Sequence, residues 1–412
     1  MPQAQKGAEL WLFTMRFPFG TGEAFLEHEL PFLAARFQRV LLFPLEADGE
    51  PRDLPGNVEV VRPFDRIHAR ADWWSLLRSL PLLLRVRRVV RRDAPTRAAF
   101  RSQWPEVRSR LRQALHREQG LRARFARRYT AGGVLLYSYW TSDWATVLGL
   151  WRCRDDRVRF ISRIMGFDLF ADRARDGWQA LQAFHLAQAW RVFAASRAGL
   201  EHLRARHPLH ADRLRLAYMA TPDMGAGPWH RSAGPLRVVS CSNLFPLKRV
   251  PMLAQALAAM DRPVEWTHFG DGPDRKALRA VMERLPEAVQ VHLPGAVANR
   301  QVLEHFRRQE VDLFVHPSGS EGGVPVALME AASFGIPMVG FDVGGVPEIV
   351  VPGTSGWLLP GNAGVMELAG VLRRAEEELD DAFRGRVRSL WRERFRADLV
   401  HAAWADELER MV

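Results

Sequence analysis

Short apolar runs recur along the chain, each followed by a longer stretch whose apolar positions have helical spacing. In the first half the runs are Leu10–Met15, Val40–Phe43, Val134–Tyr137, Phe160–Ile164 and Val192–Ala195. In the second they are Leu236–Ser240, Val264–Phe269, Val289–Leu293, Asp312–Val315 and Met338–Phe341. Continuous apolar runs of four to six residues read as strands covered on both faces. Their alternation with helical stretches predicts parallel sheets made of βαβ units. The rhythm breaks from Ala220 to Pro235, ATPDMGAGPWHRSAGP, which is rich in Gly and Pro and has no period. That segment reads as a linker. Beyond Asp380 a polar, amphipathic stretch reads as helical to Val412. The expected division is 1–218, 219–385 and a closing helical segment, 386–412.

The stretch Asp312–Val350, DLFVHPSGSEGGVPVALMEAASFGIPMVGFDVGGVPEIV, is the densest in information. It reads as strand, glycine loop, helix, strand and second glycine loop. Pro325 suits the first turn of the helix and Gly335 its end. In open parallel sheets ligands bind at the carboxyl ends of strands, on loops and helix N-termini. Here Glu321 and Glu330 bracket the helix start, and Glu348 follows Gly344-Gly345. Backbone N–H groups for phosphate and carboxylates for hydroxyls describe a nucleotide-sugar site. Glu330 is placed to accept from the vicinal hydroxyls of a ribose. Upstream, LRVVSCSNLFPLKRV puts Lys248 and Arg249 between a strand and a helix, where fixed cations would stabilise a departing diphosphate. In WTHFGDGP, Gly270 and Gly272 permit the backbone angles of a tight turn, and Asp271 reads as a turn former.

Composition changes this picture little. The 412 residues are 47% hydrophobic, enough for two cores. Two cysteines, Cys153 and Cys241, make neither a disulfide framework nor a metal spacing, which favours a reducing cytosol. No run of about eighteen apolar residues is present, and MPQAQKGAEL lacks the build of a signal peptide. A cytoplasmic location is therefore expected.

Charge is distributed unevenly. Arg62 to Arg128 contains 19 Arg, no Lys and 5 Asp or Glu, a net of 19 − 5 = +14, so the rest of the chain sums to 11 − 14 = −3. Within it Trp73, Trp74, Leu76 and Leu77 precede an arginine cluster. Two readings stand: peripheral contact with an anionic membrane face, or a solvated helical face in a chain that prefers Arg to Lys. The segment has no zinc spacing or RNA-binding motif, so nucleic acid is not expected as a partner.

Taken in order and spacing, SCSNLFPLKRV, EWTHFGDGP, EGGVPVALMEAASFGIP and DVGGVPEIV resemble the retaining glycosyltransferases of family 4. Within that family they look like the subset that builds bacterial exopolysaccharide and lipopolysaccharide, colanic-acid-type enzymes included. FPFGTGEAFLEHEL and ISRIMGFDL are similar to the subset's acceptor-side elements. The resemblance implies the GT-B fold: two Rossmann-like domains facing each other across a cleft, with a C-terminal helix crossing back. It implies a UDP- or GDP-sugar donor, a glycan or lipid-linked glycan acceptor, and no cofactor or metal. By it Lys248 would hold the diphosphate, Glu330 the ribose, and Glu321 with Gly322, Gly323 and Val324 the donor sugar. Gly20, Asn243, Arg249 and Gly270 would complete the donor side. Glu23 and Met165 would lie on the acceptor side, and Lys248, Glu321, Arg163 and Asp168 would serve the reacting centre.

Three positions depart from the family pattern. Asn243 stands where an arginine is usual, leaving phosphate neutralisation to lean on Arg249. Eight residues separate Glu321 from Glu330, one more than the pattern. Met165 occupies the place of the acceptor-side histidine and cannot share a proton. The expected reaction is sugar transfer with retention, the leaving diphosphate helping to accept the acceptor's proton. The rival, motivated by Met165 and Asn243, is a weak or inactive relative that binds nucleotide sugar or glycan within an assembly complex. A phosphorylase is disfavoured, because it needs a cofactor lysine and the second half offers only Lys248 and Lys276.

Overall fold

The computed structural model describes residues 7–20, 22–62, 78–230 and 234–412. The chain divides into two units: Met1–Ala217 with His401–Val412, and Tyr218–Val400.

In the first unit seven strands form one parallel sheet: β1 (Glu9–Thr14), β2 (Arg39–Pro44), β3 (Val58–Val60), β4 (Val134–Ser138), β5 (Phe160–Ile164), β6 (Arg191–Ala194) and β7 (Leu214–Leu216). Their order is β3-β2-β1-β4-β5-β6-β7. The central strands are mostly apolar and buried on both faces, with Ser162 and Arg163 as buried polar residues in β5. One face is covered by the helices Leu80–Asp93, Arg97–Thr130 and Asp143–Arg154. Their apolar stripes, with Trp144 and Trp151, pack on Trp11, Phe13 and Phe43.

In the second unit β8 (Leu236–Cys241), β9 (Val264–Phe269), β10 (Val289–Gly295), β11 (Leu313–His316), β12 (Met338–Phe341) and β13 (Gly356–Leu359) form a six-stranded parallel sheet, order β10-β9-β8-β11-β12-β13. In both sheets the strand order reverses once, between β1 and β4 and between β8 and β11. A crevice opens outside the carboxyl ends at such a reversal.

The three strands with no counterpart in the sequence reading, β3, β7 and β13, are all sheet edges. Edge strands can be short and half-exposed, so they leave a weak pattern. The linker is not loose: Trp229 Nε1 donates to Asp312 Oδ1 at 2.6 Å, and Arg384 stacks over the Trp229 ring at 5.3 Å.

The helical tail is corrected by the structure. It is two helices, Asp381–Arg394 and Ala397–Glu409, broken where Thr221 pairs with Arg396. Thr221 N–H donates to the Phe395 carbonyl and the Thr221 carbonyl accepts from Ala397 N–H, each at 3.0 Å, taking the place of helical bonds. Residues 386–400, expected with the crossing helix, group with the second unit, and only His401–Val412 group with the first. There Trp404 packs on Tyr137 and Phe193.

Of the basic segment, Trp73, Trp74, Leu76 and Leu77 lie outside the described residues. From residue 80 onward it forms the helices Leu80–Asp93 and Arg97–Thr130, with Leu80 and Leu84 exposed. Among the described residues no helix is long and apolar enough to cross a membrane.

Candidate functional site

The reversal between β8 and β11 gathers the second unit's charged side chains. After β8 the chain makes a short turn, Pro246–Lys248, then Arg249 adopts a left-handed conformation at φ 49° and starts the helix Val250–Ala258. After β11 comes the loop Pro317–Val324, then the helix Val326–Ser333, capped at its start by Pro325 and followed by Gly335 at φ +75°. Gly319 N–H donates to the Leu247 carbonyl at 2.8 Å, tying the two loops together.

Glu321 is where they converge. It is 9% exposed, and its Oε1 accepts from Lys248 Nζ and lies 2.9 Å from His316 Nε2. Burial works against its charge, but the hydrogen bond with His316 and the ammonium of Lys248 outweigh it and hold the carboxyl well below the usual range. Glu321 is therefore a fixed anion beside a fixed cation. His316 took no part in the sequence reading. Its signal was position: the last residue of a strand, directly ahead of a glycine loop.

Glu330 lies on the helix after the loop, 4% exposed, with Asn299 Nδ2 donating to its Oε1 at 2.8 Å. Burial pushes its carboxyl up to about 7, opposed by that hydrogen bond. Asn299 was also missed: it opens a different helix, Asn299–Arg308, 31 positions away. Cys241, at the end of β8, is pushed by burial and by the charge of Glu330 up to about 12, with Lys248 opposing.

Glycines bring the loops close. A Cβ on Gly344, at φ +51°, would overlap the Glu321 carbonyl, and one on Gly345 would sit 2.5 Å from the Gly323 carbonyl carbon. Gly322 and Val324 are buried in this contact. Gly270 and Gly272 likewise meet the backbone of Ser242 and Leu244. Asp271 accepts from Gly272 N–H and pairs with Arg275, the turn role expected of it. Asn243 is exposed on the adjoining loop.

Arg249, expected to help neutralise phosphate, is turned toward backbone carbonyls. Its Nε donates to the Pro317 carbonyl at 2.8 Å, Nη1 to Gly361 at 3.1 Å and Nη2 to Ser318 at 2.9 Å, and it stacks on Phe341 at 4.3 Å. It braces the glycine loop.

In the first unit three of the expected residues lie within internal hydrogen-bond networks. Arg163 is fully buried: its Nη1 donates to Glu29 at 2.7 Å, and its guanidinium stacks on Tyr139 and Trp404. Asp168 accepts from the backbone N–H of Thr141, Met165 and Gly166, each at 3.0 Å. Glu23, itself at φ 55°, accepts from the N–H groups of Met15 (3.1 Å), Arg16 (2.7 Å) and Phe17 (2.7 Å), and from Trp140 Nε1 (2.7 Å). All three are engaged in internal bonds, which gives each a structural role in this unit. Met165 follows β5, 8% exposed. Gly20, at φ +63°, is exposed on the loop after β1, its carbonyl held by Arg52.

Residues 229–386 match the family model described as glycosyl transferases group 1. WcaL of Escherichia coli (strain K12), assigned as a colanic acid biosynthesis glycosyltransferase, is 31% identical over 177 residues, 38% of this chain and 43% of its own length. The amylovoran biosynthesis glycosyltransferase AmsK of Erwinia amylovora is 29% identical over 154 residues, 35% of this chain and 37% of its own length. These matches thus span less than half of either relative. Among solved structures, the lipopolysaccharide outer core galactosyltransferase WaaB superposes with a TM-score of 0.67 at 17% identity, covering 98% of this chain and 99% of that one. Anabaena Alr3699/HepE, solved in complex with UDP, gives 0.66 at 18%, covering 98% and 100%. These structures show the fold: two Rossmann-like parallel-sheet units of the GT-B type, as the motifs led one to expect.

Proposed function

We propose that this chain is a glycosyltransferase of exopolysaccharide or surface-glycan synthesis, using a nucleotide diphosphate sugar as donor. The observation that carries the reading is the convergence of Lys248, Glu321 and His316 at the carboxyl ends of β8 and β11, with Glu330 on the next helix. Support comes from the group 1 match over this same unit, and from relatives named for colanic acid and amylovoran synthesis.

The roles follow from the chemistry. An arriving diphosphate competes with Glu321 for the ammonium of Lys248, which then stabilises the charge that develops as the bond to the sugar breaks. His316 keeps Glu321 oriented toward the sugar hydroxyls. Glu330, as carboxylate, accepts from the ribose hydroxyls, with Asn299 holding its other face. The anomeric configuration is retained, the leaving diphosphate taking the proton of a glycan acceptor carried on a lipid. No metal is needed where Lys248 supplies the positive charge.

Thermal shift with UDP-, GDP- and ADP-sugars tests the reading. A donor at a hundred times its dissociation constant adds about 2.7 kcal/mol, and Lys248→Ala should abolish the gain. No shift with any nucleotide sugar would overturn it. Product anomer analysis by NMR tests retention.

A further inference from the structure

At the amino ends of β5, β6 and β7, the edge of the first sheet opposite its crevice, lies a groove of about 1190 Å³. Nine arginines and three aspartates line it. Six of those arginines, Arg85, Arg127, Arg152, Arg159, Arg191 and Arg213, make no ion pair among the described residues. Several are fixed all the same, by neutral oxygens. Arg152 Nη1 donates to the Val158 carbonyl at 2.9 Å, Arg191 Nη1 to Trp190 at 3.2 Å and Arg213 Nη1 to Ala187 at 2.6 Å. Arg159 lies over the Trp190 ring at 5.3 Å. A carbonyl orients a guanidinium without cancelling its charge, and the remaining N–H groups stay available for a ligand. So many like charges around one concavity repel each other, and low-dielectric walls focus their field into the groove.

We propose that this groove is a second binding site, for a phosphate-bearing ligand with two or more negative charges. A phosphate monoester presents three acceptor oxygens and close to two charges, so it can engage more than one guanidinium fork; a carboxylate has two oxygens and one charge. The same chemistry comes from two sources, a free polyphosphate or a lipid headgroup that ends in a phosphate monoester. The second is compatible with the exposed Leu80 and Leu84, since Ser79 Oγ accepts from Arg154 Nη2 at 2.7 Å, which puts that helix start beside the groove.

The test uses the full chain carrying Lys248→Ala, so that the donor site does not contribute. Tripolyphosphate binding is measured by calorimetry at low and high salt. Sedimentation is measured in parallel with phosphatidylcholine vesicles, with and without phosphatidic acid. Both arms are repeated with Arg127→Gln and Arg159→Gln added, two exposed side chains whose loss should leave the melting curve unchanged, and with the two lysine equivalents. Salt-sensitive tripolyphosphate binding that falls about tenfold or more in the glutamine variant, and less in the lysine variant, supports the site with a free phosphate as source. Binding only to vesicles containing phosphatidic acid, lost in the glutamine variant, supports it with a headgroup as source. No binding in either arm, or binding unchanged by the glutamine substitutions, overturns it.

Discussion

The chain builds one topological feature twice, at the carboxyl ends of β1 and β4 and again at those of β8 and β11, and furnishes it differently. In the first unit three successive backbone N–H groups, those of Met15, Arg16 and Phe17, converge as an anion cradle would. The cradle is filled by Glu23, which Trp140 also holds, so four donors saturate one carboxylate. In the second unit Glu321 shares an ammonium that has three donors and, among the described residues, one protein partner. Sheet topology thus provides a crevice, but side-chain stoichiometry determines whether it can bind anything. A saturated carboxylate holds a loop in place, whereas an under-saturated cation can exchange its partner for a substrate.

The contrast can be broken by substitution. The largest effect is expected from Arg163→Leu, which leaves Glu29 buried without its cation: about 3–5 kcal/mol of stability should be lost in denaturant unfolding. If the protein keeps its stability and loses only activity, Arg163 belongs to the reacting centre after all. Next, Lys248→Ala should reduce turnover about 10²-fold or more, with a smaller loss of stability than Arg163→Leu because His316 still holds Glu321. Wild-type kinetics there would remove the donor site from β8–β11. Glu23→Gln should do the reverse, costing about 1–3 kcal/mol of stability because backbone donors lose a charged acceptor, with donor KM held. A raised donor KM without destabilisation would make the first crevice a ligand site.

A smaller effect is expected from pH. Burial holds the Glu330 carboxyl at about 7, so it takes up a proton as pH falls through that value and loses an acceptor for the ribose. Donor KM should therefore be flat at higher pH and rise toward about tenfold one unit below 7. Asn299→Leu removes a bond that opposes the shift, so the profile should move to higher pH. A KM independent of pH would detach Glu330 from the ribose. Smallest of all, excess EDTA should leave transfer unchanged. Activity lost to EDTA and restored by Mn²⁺ or Mg²⁺ would show that Lys248 does not suffice.

Much of this was legible along the chain. Short apolar runs marked ten of the thirteen strands among the described residues; most are buried on both faces, while β9 and β10 alternate. Gly322-Gly323 and Gly344-Gly345 announced loops in close approach, and Lys248, Glu321 and Glu330 stood out as charges beside them. The three edge strands did not, being three or four residues long.

By itself, then, the sequence determined the two parallel sheets, the glycine loops and the charges at the second crevice, since these depend on periods and neighbours a few residues apart. Tertiary structure alone decided which polar residues were spoken for. Arg163 meets Glu29 across 134 positions, Glu23 meets Trp140 across 117, and Arg249 meets Gly361 across 112. It also supplied Asn299 to Glu330 from another helix. A charge appears in the sequence as a residue type, but whether it is free to act depends on the partners that folding brings to it, because a buried charge must be compensated by whatever group arrives beside it.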